Sequence, residues 1–141
     1  VRQFAKAGFT CDFGSSTPGD NLIEVYPHVA LLALATTTVF RLPYKAQKTK
    51  KYWPQESIEE RRRKLLAEWG RILALLRRHI DGIERELPKA KRTSFSALKP
   101  YEDQIDALVC AWVGALYMEG KASVLGDDHS AIWIPTAALR K

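Results

Sequence analysis

Asp103 and Asp106 stand three positions apart, one helical turn, just ahead of an apolar run from Ala107 to Met118 that carries no charge until Glu119. A helix apolar on all sides is normally buried. Carboxylates at its mouth are therefore costly unless something positive offsets them, and a divalent metal ion is one such partner. Glu24 is the third acid singled out by context, because it interrupts the short apolar run Asn21-Leu22-Ile23-Glu24-Val25-Tyr26. Hard divalent cations take oxygen ligands, and Mg²⁺ or Mn²⁺ held by a few carboxylates from separate elements could serve phosphodiester chemistry. Residue types and spacing leave a plainer reading open. Asp103 in a first turn complements the helix dipole, and a buried Glu can pair with an Arg.

Other chemistries find less support. His28 follows Pro27 at a helix start, His79 lies near the end of a charged helix and His129 sits in a turn. The chain shows no grouping of Ser, His and acid, no Gly-rich phosphate loop and no Cys-rich zinc spacing, so acyl transfer, P-loop and zinc chemistry are not indicated. Asp127 and Asp128 beside Gly126 read as turn formers. Tyr52 and Trp53 follow Lys50 and Lys51 and could lie along a nucleic-acid strand. A Trp beside Pro54 at a helix entrance is the more ordinary packing arrangement.

The elements that must position these residues follow from periodicity and punctuation. Val1 to Ala7 reads as the end of a helix, and Gly8 to Asp20 as loop, dense in turn formers from Gly14 onward. Asn21 to Tyr26 is a strand, and Pro27 opens a helix to Ala35. Leu42 to Pro54 is an extended, Lys-rich surface connection. A long helix from Gln55 to about Ile80 carries Ile58, Leu65, Leu66, Trp69, Ile72, Leu73, Leu76 and Ile80 at helical spacing. Gly82 permits a break, and Pro88 ends any continuation through Glu84 and Glu86. Lys89 to Lys99 is a polar connector, and Pro100 starts the helix that bears Asp103 and Asp106 and ends at Gly120. Ala122 to Leu125 and Ala131 to Ile134 form two short strands around a turn.

The length of 141 residues and 46% hydrophobic content suit a single domain with one core. No apolar run reaches the roughly 20 residues of a membrane span and no signal peptide opens the chain, which leaves the cytoplasm as the expected compartment. Cys11 and Cys110 read as two small buried thiols rather than a disulfide. The net charge of +6 is concentrated between Arg41 and Lys64, where nine bases face three acids. Arg41, Lys45, Lys48, Lys50 and Lys51, with Tyr44 among them, suit an anionic partner, nucleic acid first. The alternative is a solvated face laced with Glu–Arg pairs.

Four motifs in order carry a family resemblance: Ile23-Glu24-Val25-Tyr26-Pro27-His28; Leu42-Pro43-Tyr44-Lys45; Lys99-Pro100-Tyr101-Glu102-Asp103 with Ile105-Asp106-Ala107-Leu108-Val109-Cys110-Ala111; and Gly126-Asp127 with Ala131-Ile132-Trp133-Ile134-Pro135. Together they resemble domain-of-unknown-function family 429, described as predicted nucleases with an RNase H-like fold. The resemblance implies an α/β fold, helices packed on a small sheet with a short terminal β-hairpin, and a carboxylate cluster binding Mg²⁺ or Mn²⁺. Glu24 matches the acid at the end of the fourth strand of such folds and Asp106 the acid of the last helix, with Asp103 as companion. Tyr44 and Lys45 belong to a family motif that we expect to face substrate phosphate. The opening strands of the fold, with the first metal-binding aspartate, have no counterpart. Residues 1–141 are thus expected to be a single carboxy-terminal portion of an RNase H-like domain, lacking a complete catalytic site, and either homo-oligomeric or completed by an amino-terminal segment. The activity expected of the intact protein is metal-dependent phosphodiester hydrolysis. An inactive nucleic-acid or protein-binding module and a small-molecule phosphate-ester or phosphotransfer enzyme are the alternatives.

Overall fold

The computed structural model describes residues 2–14, 17–19, 21–35, 41–83, 87 and 94–136. In chain order these form helix α1 (Arg2–Lys6), strands β1 (Thr10–Cys11) and β2 (Asn21–Leu22), helix α2 (Pro27–Leu34), a 3₁₀ turn (Ala46–Lys48), helices α3 (Thr49–Tyr52), α4 (Ile58–Leu76) and α5 (Phe95–Met118), and strands β3 (Ala122–Gly126) and β4 (Ala131–Pro135). The architecture is α/β, with helices packed on small sheets and a terminal antiparallel hairpin, as expected. The sequence expectations at Glu84, Glu86, Pro88 and the connector residues 89–93 lie outside the described residues.

Local chemistry explains most element boundaries. Pro27 occupies the first turn of α2, where its missing N–H costs nothing. Helix α4 starts at Ile58 rather than Gln55, because Ser57 caps it by accepting from the Glu60 N–H at 3.1 Å. Ser57 and Glu60 have the spacing of a capping box. Helix α5 differs more from expectation. It begins at Phe95, five residues before Pro100, where Ser94 accepts from the Ala97 N–H at 3.2 Å. The helix accepts a proline in its second turn although an interior proline costs about 3 kcal/mol. Burial of Leu98, which is fully enclosed, contributes roughly 1.5–3 kcal/mol in return.

The strand expected over Asn21–Tyr26 is divided between two partners. Asn21 and Leu22 pair in parallel with Thr10 and Cys11, which lie where the turn-forming composition predicts loop. Val25 then forms a parallel bridge to Trp133, and the Glu24 carbonyl accepts from the Trp133 N–H at 2.8 Å. The segment therefore lies alongside β4 of the hairpin, whose register runs from Ala122 opposite Pro135 to Gly126 opposite Ala131. Asp127 closes the turn by accepting from the His129 and Ser130 N–H groups at 2.9 and 3.0 Å, the expected role of a turn-forming Asp.

The core joins α2 (Ala30, Leu31, Leu34), α4 (Leu65, Trp69, Ile72, Leu73, Leu76) and α5 (Leu98, Ile105, Val109, Trp112, Val113). Tyr117 of α5 meets Trp133 of β4 edge to face, with ring centroids 4.8 Å apart. Both cysteines are free thiols, and Cys11 is exposed rather than buried. Among the described residues, no helix is long and apolar enough to cross a membrane.

Candidate functional site

Helix α5 and the segment before α3 build the site between them. The segment expected to be an extended loop instead coils into the 3₁₀ turn and α3, and it is fastened to α5 by Glu102. Glu102 is only 2% exposed. Its Oε2 accepts from the Ala46 N–H at 2.7 Å, and its Oε1 lies 3.3 Å from Lys45 Nζ and 3.2 Å from Lys99 Nζ. A buried carboxylate is tolerated when donors and opposite charge surround it, and here a backbone amide and two ammonium groups do so.

Asp106 lies one turn farther along the same face. Tyr44 Oη donates to its Oδ1 at 3.0 Å, and Lys45 Nζ to its Oδ2 at 2.6 Å. Tyr44 is itself fixed from three sides. Its carbonyl accepts from Trp69 Nε1 of α4 at 2.7 Å, its ring stacks on His28 of α2 at 5.8 Å, and its hydroxyl reaches α5. Burial, then the charge and hydrogen bond of Asp106, hold the Tyr44 phenol far above its ordinary pKa, so it stays a neutral donor. For Lys45, burial opposes the charged form. The hydrogen bond and charge of Asp106, aided by Glu102, outweigh burial and raise the ammonium above its ordinary value. Burial followed by the Asp106 charge also pushes up the Cys110 thiol.

Asp103 is on the solvent side of this group and pairs with Lys99 across one turn. It lies well inside α5, which has no acid in its first turn, so the dipole role considered from sequence does not apply. Among the described residues, Glu102, Asp103 and Asp106 each place a carboxylate oxygen within 4.8 Å of the others. Glu24 is not in that group. It is exposed, and it contributes to the fold through its backbone carbonyl on β4. The alternative of a buried Glu paired with an Arg therefore does not apply to it.

Sequence reasoning missed Glu102, and the signal was present. Leu98, Glu102, Ile105, Val109 and Trp112 follow one another at spacings of three and four, so the acid occupies a core position of the helix stripe. Setting the helix start at Pro100 hid Leu98 from that stripe.

The basic residues separate into two groups. On α4, Arg63 pairs with Glu60 and Arg71 with Glu68, each three positions apart, and Lys64 pairs with Glu56. Arg61 and Arg62 lie over the Phe95 ring at 6.0 and 5.7 Å. Arg63 and Arg71 thus pair within α4, while Arg61 and Arg62 reach α5 through Phe95. Arg41, Lys45 and Lys48 instead line a cavity of about 150 Å³ together with Tyr26, His28 and Tyr52. Lys50 and Lys51 are exposed on α3, outside that lining, and Tyr44 is buried behind it. Trp53 packs against the core, while its neighbour Tyr52 faces the cavity.

No curated protein and no solved structure matches the chain. A family model described as protein of unknown function (DUF429) matches residues 13–130, which take in every residue of the acidic group and the cationic cavity, and the chain belongs to that family.

Proposed function

We propose that the chain supplies part of a metal-dependent phosphodiesterase site, a nuclease of RNase H-like type, in which Asp106 is the principal carboxylate. The observation that carries this reading is the meeting of three carboxylates on one helix face within 4.8 Å, beside a cavity lined by Arg41, Lys45 and Lys48. An all-oxygen donor set of this kind fits Mg²⁺ or Mn²⁺. Asp106, Glu102 and Asp103 would hold the ion, with Glu24 as a more distant carboxylate. Lys45 and Lys99 now neutralise the same oxygens and would exchange places with it. A bound ion would activate water and stabilise charge on the phosphoryl oxygens. Tyr44 keeps Asp106 oriented, and Lys45 stands between the acids and the substrate side. The test is cleavage of RNA, RNA:DNA hybrid and branched DNA in Mg²⁺ or Mn²⁺. Asp106→Asn should abolish it, and activity that survives both Asp106→Asn and Glu24→Gln refutes the assignment.

The lysine pairing favours a second reading, a module that holds nucleic acid without cutting it. In that case Asp106→Asn leaves RNA affinity unchanged or stronger, affinity falls steeply with salt, and neither metal produces cleavage.

A further inference from the structure

The cavity lined by Tyr26, His28, Arg41, Lys45, Lys48 and Tyr52 has no carboxylate among the described residues of its wall. Its cations come from two short stretches, the segment before the 3₁₀ turn and the end of that turn, which the Glu102–Ala46 hydrogen bond fixes to α5. Burial is the main cause that raises the Tyr52 phenol pKa. Tyr52, Lys45 and Arg41 line the same cavity. Tyr26, 55% exposed, stands at the rim.

We propose that this cavity is a recognition site for a terminal phosphate monoester of a nucleotide or nucleic acid. The charge of the lining selects a monoester over a phosphodiester. With Lys45 engaged by Asp106 and Glu102, the uncommitted charge of the lining is that of Arg41 and Lys48, which suits a dianion, and a monoester carries nearly two negative charges at neutral pH whereas a diester carries one. Lys45 is already shared with Asp106 and Glu102, so Arg41 and Lys48 are the cations left to meet the ligand directly. A volume of about 150 Å³ admits the phosphate and leaves the attached nucleoside outside, where the exposed Tyr26 ring offers a stacking face. This site deepens the phosphodiesterase reading by naming the end of the substrate that is held. It does not depend on a metal.

The experiment measures binding of a fluorescent hexanucleotide in EDTA, in 5′-phosphorylated, 3′-phosphorylated and unphosphorylated forms, with AMP as competitor. One of the phosphorylated forms should bind about tenfold more tightly than the unphosphorylated strand, the scale of one charge-assisted hydrogen bond. AMP should compete if the free nucleotide is a ligand, and competition without any strand preference assigns the site to mononucleotides alone. Arg41→Gln and Lys48→Gln, both at exposed positions, should remove the preference, while Arg78→Gln, in the exposed turn that follows α4, should keep it. Equal binding of all three strands with no competition by AMP overturns the proposal. Metal-dependent cleavage is scored separately with Asp106→Asn, so loss of the nuclease reading and loss of this site are distinguishable.

Discussion

Lys45 Nζ lies 2.6 Å from Asp106 Oδ2, a residue 61 positions away in sequence, and 3.3 Å from Glu102 Oε1. One ammonium thus joins the two inner acids of α5 and lines the cationic cavity with its other side. Competition, stability and pH response at the site all pass through it.

Because Lys45 occupies an oxygen that a metal would need, its removal should favour the metal. Lys45→Gln is expected to tighten Mn²⁺ binding about tenfold, equivalent to ~1.4 kcal/mol. Titration followed by electron paramagnetic resonance of free Mn²⁺ measures this, and unchanged or weaker binding contradicts a site on Asp106.

Glu102 and Asp103 are adjacent in sequence and should differ sharply in stability effect. Glu102→Gln strips charge from a nearly fully buried group that holds Ala46, Lys45 and Lys99, and the expected loss is about 2–4 kcal/mol. Asp103, with its side chain 59% exposed, should cost no more than about 0.5 kcal/mol as Asp103→Asn. Urea denaturation separates the two, and comparable losses contradict the buried role of Glu102.

The alkaline limb of stability should bear the signature of Tyr44 and Lys45. Both are raised above their ordinary values of 10.0 and 10.5, so the folded state keeps protons that the unfolded chain releases. Their contribution is complete below those values and is lost as pH rises through the folded ones. Stability should therefore fall above about pH 10. In the double variant Tyr44→Phe with Lys45→Met this fall should be shallower, as followed by denaturant midpoint against pH.

Tyr117 Oη donates to the buried Asp12 Oδ2 at 2.7 Å and accepts from Asn21 Nδ2 at the same distance. This pair ties the β1–β2 region to α5. Tyr117→Phe deprives a buried carboxylate of one donor and should cost about 1–3 kcal/mol, with faster amide exchange in β1 and β2 as the local readout.

Gly126 has φ +142, and a methyl group there would overlap the Ser130 carbonyl oxygen and the Ala131 Cα. Both obstacles are backbone, so the hairpin cannot absorb them by a side-chain shift. Gly126→Ala should destabilise by more than about 2 kcal/mol. Loss of the Trp133 environment, seen by fluorescence, should accompany it.

The sequence by itself determined the two long helices and the terminal hairpin, because hydrophobic periodicity and the turn residues Gly126 and Asp127 act locally, and its family motifs implied the α/β class. It also pointed to Asp106 and to Tyr44-Lys45 as separate places of interest. Only the tertiary structure decided that these form one site, since an ion pair across 61 positions leaves no trace in local spacing. It likewise moved the start of α5 to Phe95, where the Ser94 cap and the burial of Leu98 outweigh the signal of Pro100. With that start, Glu102 turns inward and Asp103 outward, because neighbouring residues on a helix are about 100° apart. Glu24 shows the same limit from the other side. Its apolar neighbours read as a buried strand, yet the chain divides between two partners there and leaves the carboxylate exposed.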